Sequence, residues 1–209
     1  MARIYFYKLT TDDGGAPCVQ DGLLSLGICK PMIRGTAEVG DLIFGFAAKS
    51  LHADNRLLYV ARVTDKVPNG DYYTTAKFAR REDCIYERSG NRFLWRQGAL
   101  HHGPTHLAHD LGEHPYYAKA TVLLSEDFRY FGKKGSDDYK ARYPLIKDAL
   151  EKLGQGHRVH HDEPLRMELL DLGRRVWKET RQMVAGEQTT EYRHGACHRG
   201  RSCGVLEDE

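Results

Sequence analysis

No stretch of this chain approaches the ~20 consecutive apolar residues that a membrane-crossing helix needs. An excess of one charge is also missing: 31 Lys and Arg stand against 29 Asp and Glu, a net charge of +2. Bulk charge therefore permits nucleic-acid binding without demanding it, and any electrostatic site must be local. Cysteines are few and odd in number: Cys18, Cys29, Cys84, Cys197 and Cys203, widely spaced. That implies no disulfide framework and leads us to expect a cytoplasmic protein with reduced thiols. The chain lacks G-x-S-x-G, a P-loop, G-x-G-x-x-G and H-E-x-x-H, so no ready-made catalytic or phosphate-cradling motif is present. It has no internal repeat and no long low-complexity run. Its first residues, Arg3-Ile4-Tyr5-Phe6-Tyr7-Lys8, have the pattern of a strand and not of a signal peptide.

What remains is an ordinary globular composition, 41% hydrophobic and 29% charged in 209 residues, enough for one good core. We expect one domain over 1–185 and a polar, mobile tail over 186–209. Strands are expected at 3–9, 41–47, 56–64 and 118–125, where apolar and β-branched residues run between turn signals. The segment 71–114 is polar and mixed, with no clean period, which marks a long functional loop or a misread region. Helices come late. Tyr139, Tyr143, Ile146, Leu150 and Leu153 make one stripe over 137–153, with Ser136 as N-cap. A second helix over 164–184 opens on Pro164, with Asp162 and Glu163 suited to its dipole. Strands first and helices last argue for an α+β fold: a mainly antiparallel small barrel or curled sheet with helices packed at one end.

Several groups carry chemistry. In Cys29-Lys30-Pro31-Met32-Ile33-Arg34 the two cations are four apart, so one helical turn puts Lys30 and Arg34 on one face toward a phosphate. Trp95 between Arg92 and Arg96 has the aromatic-plus-cation composition of a base-stacking site. Tyr5, Tyr7 and Phe46, on expected strands, are candidates for the same pocket. His101, His102, His106, His109, Asp110 and His114 crowd one segment. They suit base contacts, metal ligation or proton transfer, although no zinc-site spacing is met. His194, Cys197, His198 and Cys203 hold soft ligand atoms in an isolated, basic tail, read as a disordered terminus. Cys29 lies beside Lys30, which lowers a thiol pKa when both are exposed. A buried cysteine at a strand end is the plainer reading, so nucleophilic catalysis has little support.

The motifs Cys29-Lys30-Pro31-Met32-Ile33-Arg34, Gly40-Asp41 with its apolar strand, Leu58-Tyr59-Val60-Ala61-Arg62-Val63, His101-His102-Gly103, His109-Asp110-Leu111 and Phe128-Arg129-Tyr130-Phe131-Gly132, in that order, resemble the second type of nucleotide-modification-associated domain. More distantly they resemble the EVE and ASCH members of the PUA-like barrels. The resemblance implies a PUA-like β-barrel and a nucleic-acid-binding module accessory to DNA modification or phage defence. Its partners would be DNA or RNA with a modified or flipped base, and modification or restriction proteins. The expected contact residues are Lys30, Arg34, Trp95, Arg96, His102, His106, His109 and Tyr7, with no metal and no cofactor. The alternatives are an enzyme acting on nucleotides or modified bases through the 101–114 histidine cluster, and a protein-interaction subunit without base contact.

Overall fold

The computed structural model describes residues 2–154 and 156–187. Its strands are β1 (Ile4–Leu9), β2 (Cys18–Gln20), β3 (Leu23–Leu26), β4 (Leu42–Ala47), β5 (Leu57–Arg62), β6 (Asp65–Val67), β7 (Tyr86–Ser89), β8 (Arg92–Trp95), β9 (Val122–Ser125), β10 (Asp127–Tyr130) and β11 (His157–Arg158). The helices are α1 (Pro31–Thr36), α2 (Asp71–Thr74), α3 (Leu107–Leu111), α4 (Pro144–Lys152) and α5 (Glu163–Glu179). The fold is mixed α+β. No described helix is long and apolar enough to cross a membrane.

Alternation along β1 sets the layers. Ile4 and Phe6 face one way and Tyr5, Tyr7 and Leu9 the other, as a period of two requires. Both sets are buried, so this strand belongs to a sheet covered on both faces. That sheet runs β10-β5-β4-β1-β11, with β1 and β4 parallel and its other pairs antiparallel. Its outer face packs on α4 and α5 through Phe44, Phe46, Ile146, Leu169 and Leu172. Its inner face packs on a second sheet, β2-β3-β9-β6. Two chain segments cross from one sheet to the other: β5 into β6 through Thr64, and β9 into β10 through Glu126. They stay joined at the corner, where Thr64 N–H donates to the Leu124 carbonyl and Glu126 N–H to Thr64 Oγ1. The pairing does not close into a ring among the described residues, so the expected barrel is instead a bent pair of sheets.

The segment 71–114 is structured. It holds α2, the β7–β8 hairpin and α3, and builds a third core of Tyr72, Tyr73, Tyr86, Phe93 and Leu111 against Val122 and Leu124 of β9. Buried Arg81 ties it down. Arg81 donates to the carbonyls of Cys18, Gln20 and Leu23, to Ser25 Oγ and to the Tyr72 hydroxyl, with Asp83 alongside. The late helices also differ from expectation. The fourth starts at Pro144, not after Ser136, because the residue before a proline is pushed out of the helical region; Tyr143 sits at φ −124 and ψ 73. The fifth is capped by Asp162, which accepts from Leu165 N–H at 3.1 Å. It ends at Glu179, and the chain beyond runs as an edge along β10, with Tyr130 N–H donating to the Met183 carbonyl. The His194, Cys197, His198 and Cys203 cluster lies outside the described residues.

A single cross-strand row organises the inner face: His157, Tyr7, Gly45, Tyr59 and Tyr130 are successive neighbours. The Tyr7 and Tyr59 hydroxyls meet at 2.8 Å because position 45 has no side chain. A Cβ there would lie 2.1 Å from the Tyr59 ring. Tyr130 donates to Asp12 Oδ2 at 2.7 Å. Asp12 is buried, its Oδ1 has no hydrogen-bond partner among the described residues, and burial pushes its carboxyl up to about 6.

Two outcomes are expected. Gly45→Ala drives the new methyl into the Tyr59 ring and lowers unfolding stability by about 1–3 kcal/mol, the range for overpacking; an unchanged denaturation midpoint would show that the tyrosine pair is not set by this contact. Asp12 holds its proton more tightly folded (about 6) than unfolded (about 4), so folding takes up a proton in that window and stability falls as pH rises through it. Asp12→Asn should therefore stabilise the protein by about 1–3 kcal/mol at pH 8 and far less at pH 4. Equal gains at both pH values would trace the effect to something other than ionisation.

Candidate active site

Arg34 is fully buried on α1, and its guanidinium is spent on backbone carbonyls. It donates to Cys29 at 2.6 Å, Lys119 at 2.7 Å, Thr121 at 2.6 Å and Asp110 at 2.6 Å. One side chain thus holds together the turn after β3, the end of α3 and the entry to β9. The expectation that Arg34 and Lys30 share a phosphate-facing helical surface is corrected here. Lys30 is the residue before the helix, in the left-handed conformation (φ 43), so the four-residue spacing does not put the two on one face.

Three side chains converge where Arg34 clamps the backbone. Cys29 Sγ lies 3.3 Å from His102 Nε2, and His102 Nδ1 lies 2.5 Å from Asp110 Oδ2. Asp110 also accepts from the Tyr86 hydroxyl at 2.7 Å and from Cys29 N–H at 2.9 Å. Burial alone would push the Asp110 carboxyl up. The hydrogen bonds and charge of His102, the Tyr86 hydroxyl and Cys29 N–H outweigh it and hold the group below its ordinary value. An ionised carboxylate only accepts, so His102 Nδ1 carries the donated proton and the ring directs Nε2 at the thiol. Cys29 is half-buried, whereas Cys18 and Cys84 are buried.

The backbone here is strained. Cys29, Lys30 and His102 all have positive φ, at 56, 43 and 54. Left-handed backbone costs an L-residue about 1–2 kcal/mol. The other non-glycine positions of this kind among the described residues are Asp21, Asn55, Asn69 and Tyr117, mostly the Asn/Asp types that tolerate it. Strain held at consecutive residues and at their partner side chain is a mark of a functional site.

The same three residues have donor atoms within 4.8 Å of one another, so a metal ion is chemically admissible. Asp110, however, directs its oxygens at His102 Nδ1 and Cys29 N–H. That leaves Sγ and Nε2, two of the four ligands a zinc ion takes. The arrangement fits a thiol, its base and the base's orienting carboxylate better than a metal cage.

The structure brings some expected residues to this place and not others. His106 stacks on His102 with ring centroids 4.6 Å apart. Lys30 Nζ stands 5.0 Å from the centroid of the Tyr7 ring. Tyr7 itself is fully buried, so its hydroxyl serves Tyr59 and not a ligand at the surface. Trp95 is half-buried against the third core and donates to the His101 carbonyl at 3.3 Å. Arg96 donates to the Ala79 carbonyl at 2.8 Å. His109 is exposed on α3. Tyr5 donates to Thr36 Oγ1, and Phe46 lies in the helix-facing core. Cys29 is the residue that sequence reasoning set aside. The available signal was a cysteine next to a lysine in a turn, with a His and an Asp eight apart far along the chain.

Fold and site together define a mixed α+β domain with a cysteine–histidine–aspartate cluster just past its β3 strand. The family model described as Nucleotide modification associated domain 2 matches residues 1–178, which include all three cluster residues. The chain belongs to this family. No curated protein and no solved structure matches it.

Arg34→Met leaves four carbonyls without their donor, that of buried Asp110 among them. It should cost about 3–5 kcal/mol of stability in urea unfolding, the scale for removing one partner of a buried charged network. A loss below about 1 kcal/mol would mean that water replaces the guanidinium and that the clamp is dispensable.

Proposed function

We propose that this chain is an enzyme of a nucleotide-modification system, with Cys29 as nucleophile, His102 as its base and Asp110 as the group that orients His102. The observation that carries the reading is the 3.3 Å contact of Cys29 Sγ with His102 Nε2, backed on the other ring nitrogen by buried Asp110. In such a site Sγ forms a bond to an electrophilic carbon while the thiol proton passes to Nε2. The leaving group departs with that proton, and water then attacks the same carbon and releases the thiol. The strained backbone at Cys29 and His102 and the family's association with nucleotide modification support it. This is the enzyme alternative of the sequence, with Cys29 added to the histidine segment.

A second reading is a module that recognises a modified base in DNA or RNA, beside modification or restriction proteins. Half-buried Trp95, joined to the histidine segment through His101, favours it. Binding without turnover would distinguish it.

The test is alkylation of Cys29 by iodoacetamide across pH, followed by peptide mass spectrometry. Cys29 should react well ahead of buried Cys18 and Cys84 near neutral pH. His102→Asn should slow it about tenfold or more at pH 7, the thiolate fraction lost for each unit that the profile moves up. Asp110→Asn should give a smaller loss. If Cys29 reacts like an ordinary thiol and His102→Asn changes nothing, the nucleophile reading is lost.

A further inference from the structure

Two of the other lysines in this fold find carboxylates. Lys66 Nζ sits 2.7 Å from Glu38, and Lys140 Nζ 2.8 Å from Asp54. Lys30 does not: among the described residues no carboxylate lies within ion-pair distance of its ammonium, which is held instead over the Tyr7 ring at 5.0 Å. It is half-buried, so its charge is only partly screened by water. A second cation-capable group lies on the same face of the sheet, its ring against Tyr5. His157 is the cross-strand neighbour of Tyr7, and both burial and the Lys30 charge push its pKa down. Lys30 thus stands over the Tyr7 ring with no carboxylate partner among the described residues, directly after the thiol-bearing residue. Their backbone is not relaxed either, since Cys29 and Lys30 are consecutive left-handed residues. A lysine held in place beside a site, with no carboxylate against it, can offer its charge to an incoming anion.

We propose that Lys30 is the anion receptor of the Cys29 site and that the site takes a phosphate-bearing substrate, a nucleotide either free or within a strand. This rests on the thiol reading above for what happens next to the anion, but not for the anion itself. A lysine ammonium is a compact point charge that suits phosphate without demanding one fixed geometry. Phosphate is also the anion that every nucleotide carries. Held over Tyr7 by a cation–π contact, the ammonium is positioned before the ligand arrives.

The experiment uses the whole chain and the rate of Cys29 alkylation by iodoacetamide, with ionic strength held constant by sodium chloride. The probes are the four deoxynucleosides, the four deoxynucleoside 5′-monophosphates and a short single-stranded oligodeoxynucleotide. We expect a phosphate-bearing probe to slow alkylation at least fivefold and the deoxynucleosides to have no effect. Protection by the monophosphates assigns a free nucleotide, and protection by the oligonucleotide alone assigns a strand. Lys30→Asn, a residue that tolerates positive φ, should abolish protection, and Lys30→Arg should retain it. Circular dichroism of both variants checks the fold, and Lys30→Arg keeps the comparison open if the asparagine variant does not fold. Absence of protection by every phosphate probe, or full protection in Lys30→Asn, overturns the proposal. Fast, His102-dependent alkylation without protection removes the phosphate and leaves the nucleophile standing. Slow, His102-independent alkylation with Lys30-dependent protection does the reverse.

Discussion

The site depends on one buried cation that never meets a ligand. Arg34 occupies the junction of three chain segments and gives each a donor for a backbone carbonyl. Buried carbonyls without donors cost about as much as lost hydrogen bonds, so these segments are held where the guanidinium can reach them all. Cys29 and Asp110 each lend it a carbonyl oxygen, and Cys29 returns its N–H to the Asp110 carboxylate. The thiol and the carboxylate are therefore registered against each other through backbone before any side chain of the triad is considered. His102 completes a geometry already set.

Arg81 does comparable work one layer away. Its bonds to the β2 and β3 carbonyls dock the 71–114 segment onto the second sheet, and Asp83 balances its charge. The two arginines anchor that segment at both ends of its core, one through β2 and β3 and one through α3 and the entry to β9. Hydrophobic contact supplies the area between them, with Tyr72, Tyr73, Tyr86 and Phe93 packed edge to face. Such polar anchors add register to a layer that apolar packing alone would leave free to slide.

Much of the frame was legible. Strands expected at 3–9, 41–47 and 56–64 are β1, β4 and β5, because each is a run of apolar residues bounded by turn chemistry. Both late helices were visible in their stripes, and their ends shifted where Pro144 and the edge contact at Met183 intervened. The 71–114 segment was opaque because its elements are three to five residues long, too short for a period to register. Four-residue spacing puts two side chains on one face inside a helix but not from the residue before it, where Lys30 turns left-handed, and so it misplaces Arg34. Cys29 was weighed alone, and nothing local says that a histidine 73 positions away meets it. Sequence spacing can find ligands that share a helix or a turn, but not those joined only by tertiary packing.

The excursion between β6 and β9 leaves from one strand and returns to its neighbour, since those two strands pair directly. His102 and Asp110 ride on that excursion, while Cys29 belongs to the frame laid down before it. During synthesis the thiol is made first and waits about seventy residues for His102, several seconds at ribosomal speed. Through that interval the nascent chain carries only an ordinary thiol. In the function proposed above, activation of Cys29 is thereby tied to completion of the fold, and a truncated or misdocked copy never gains it.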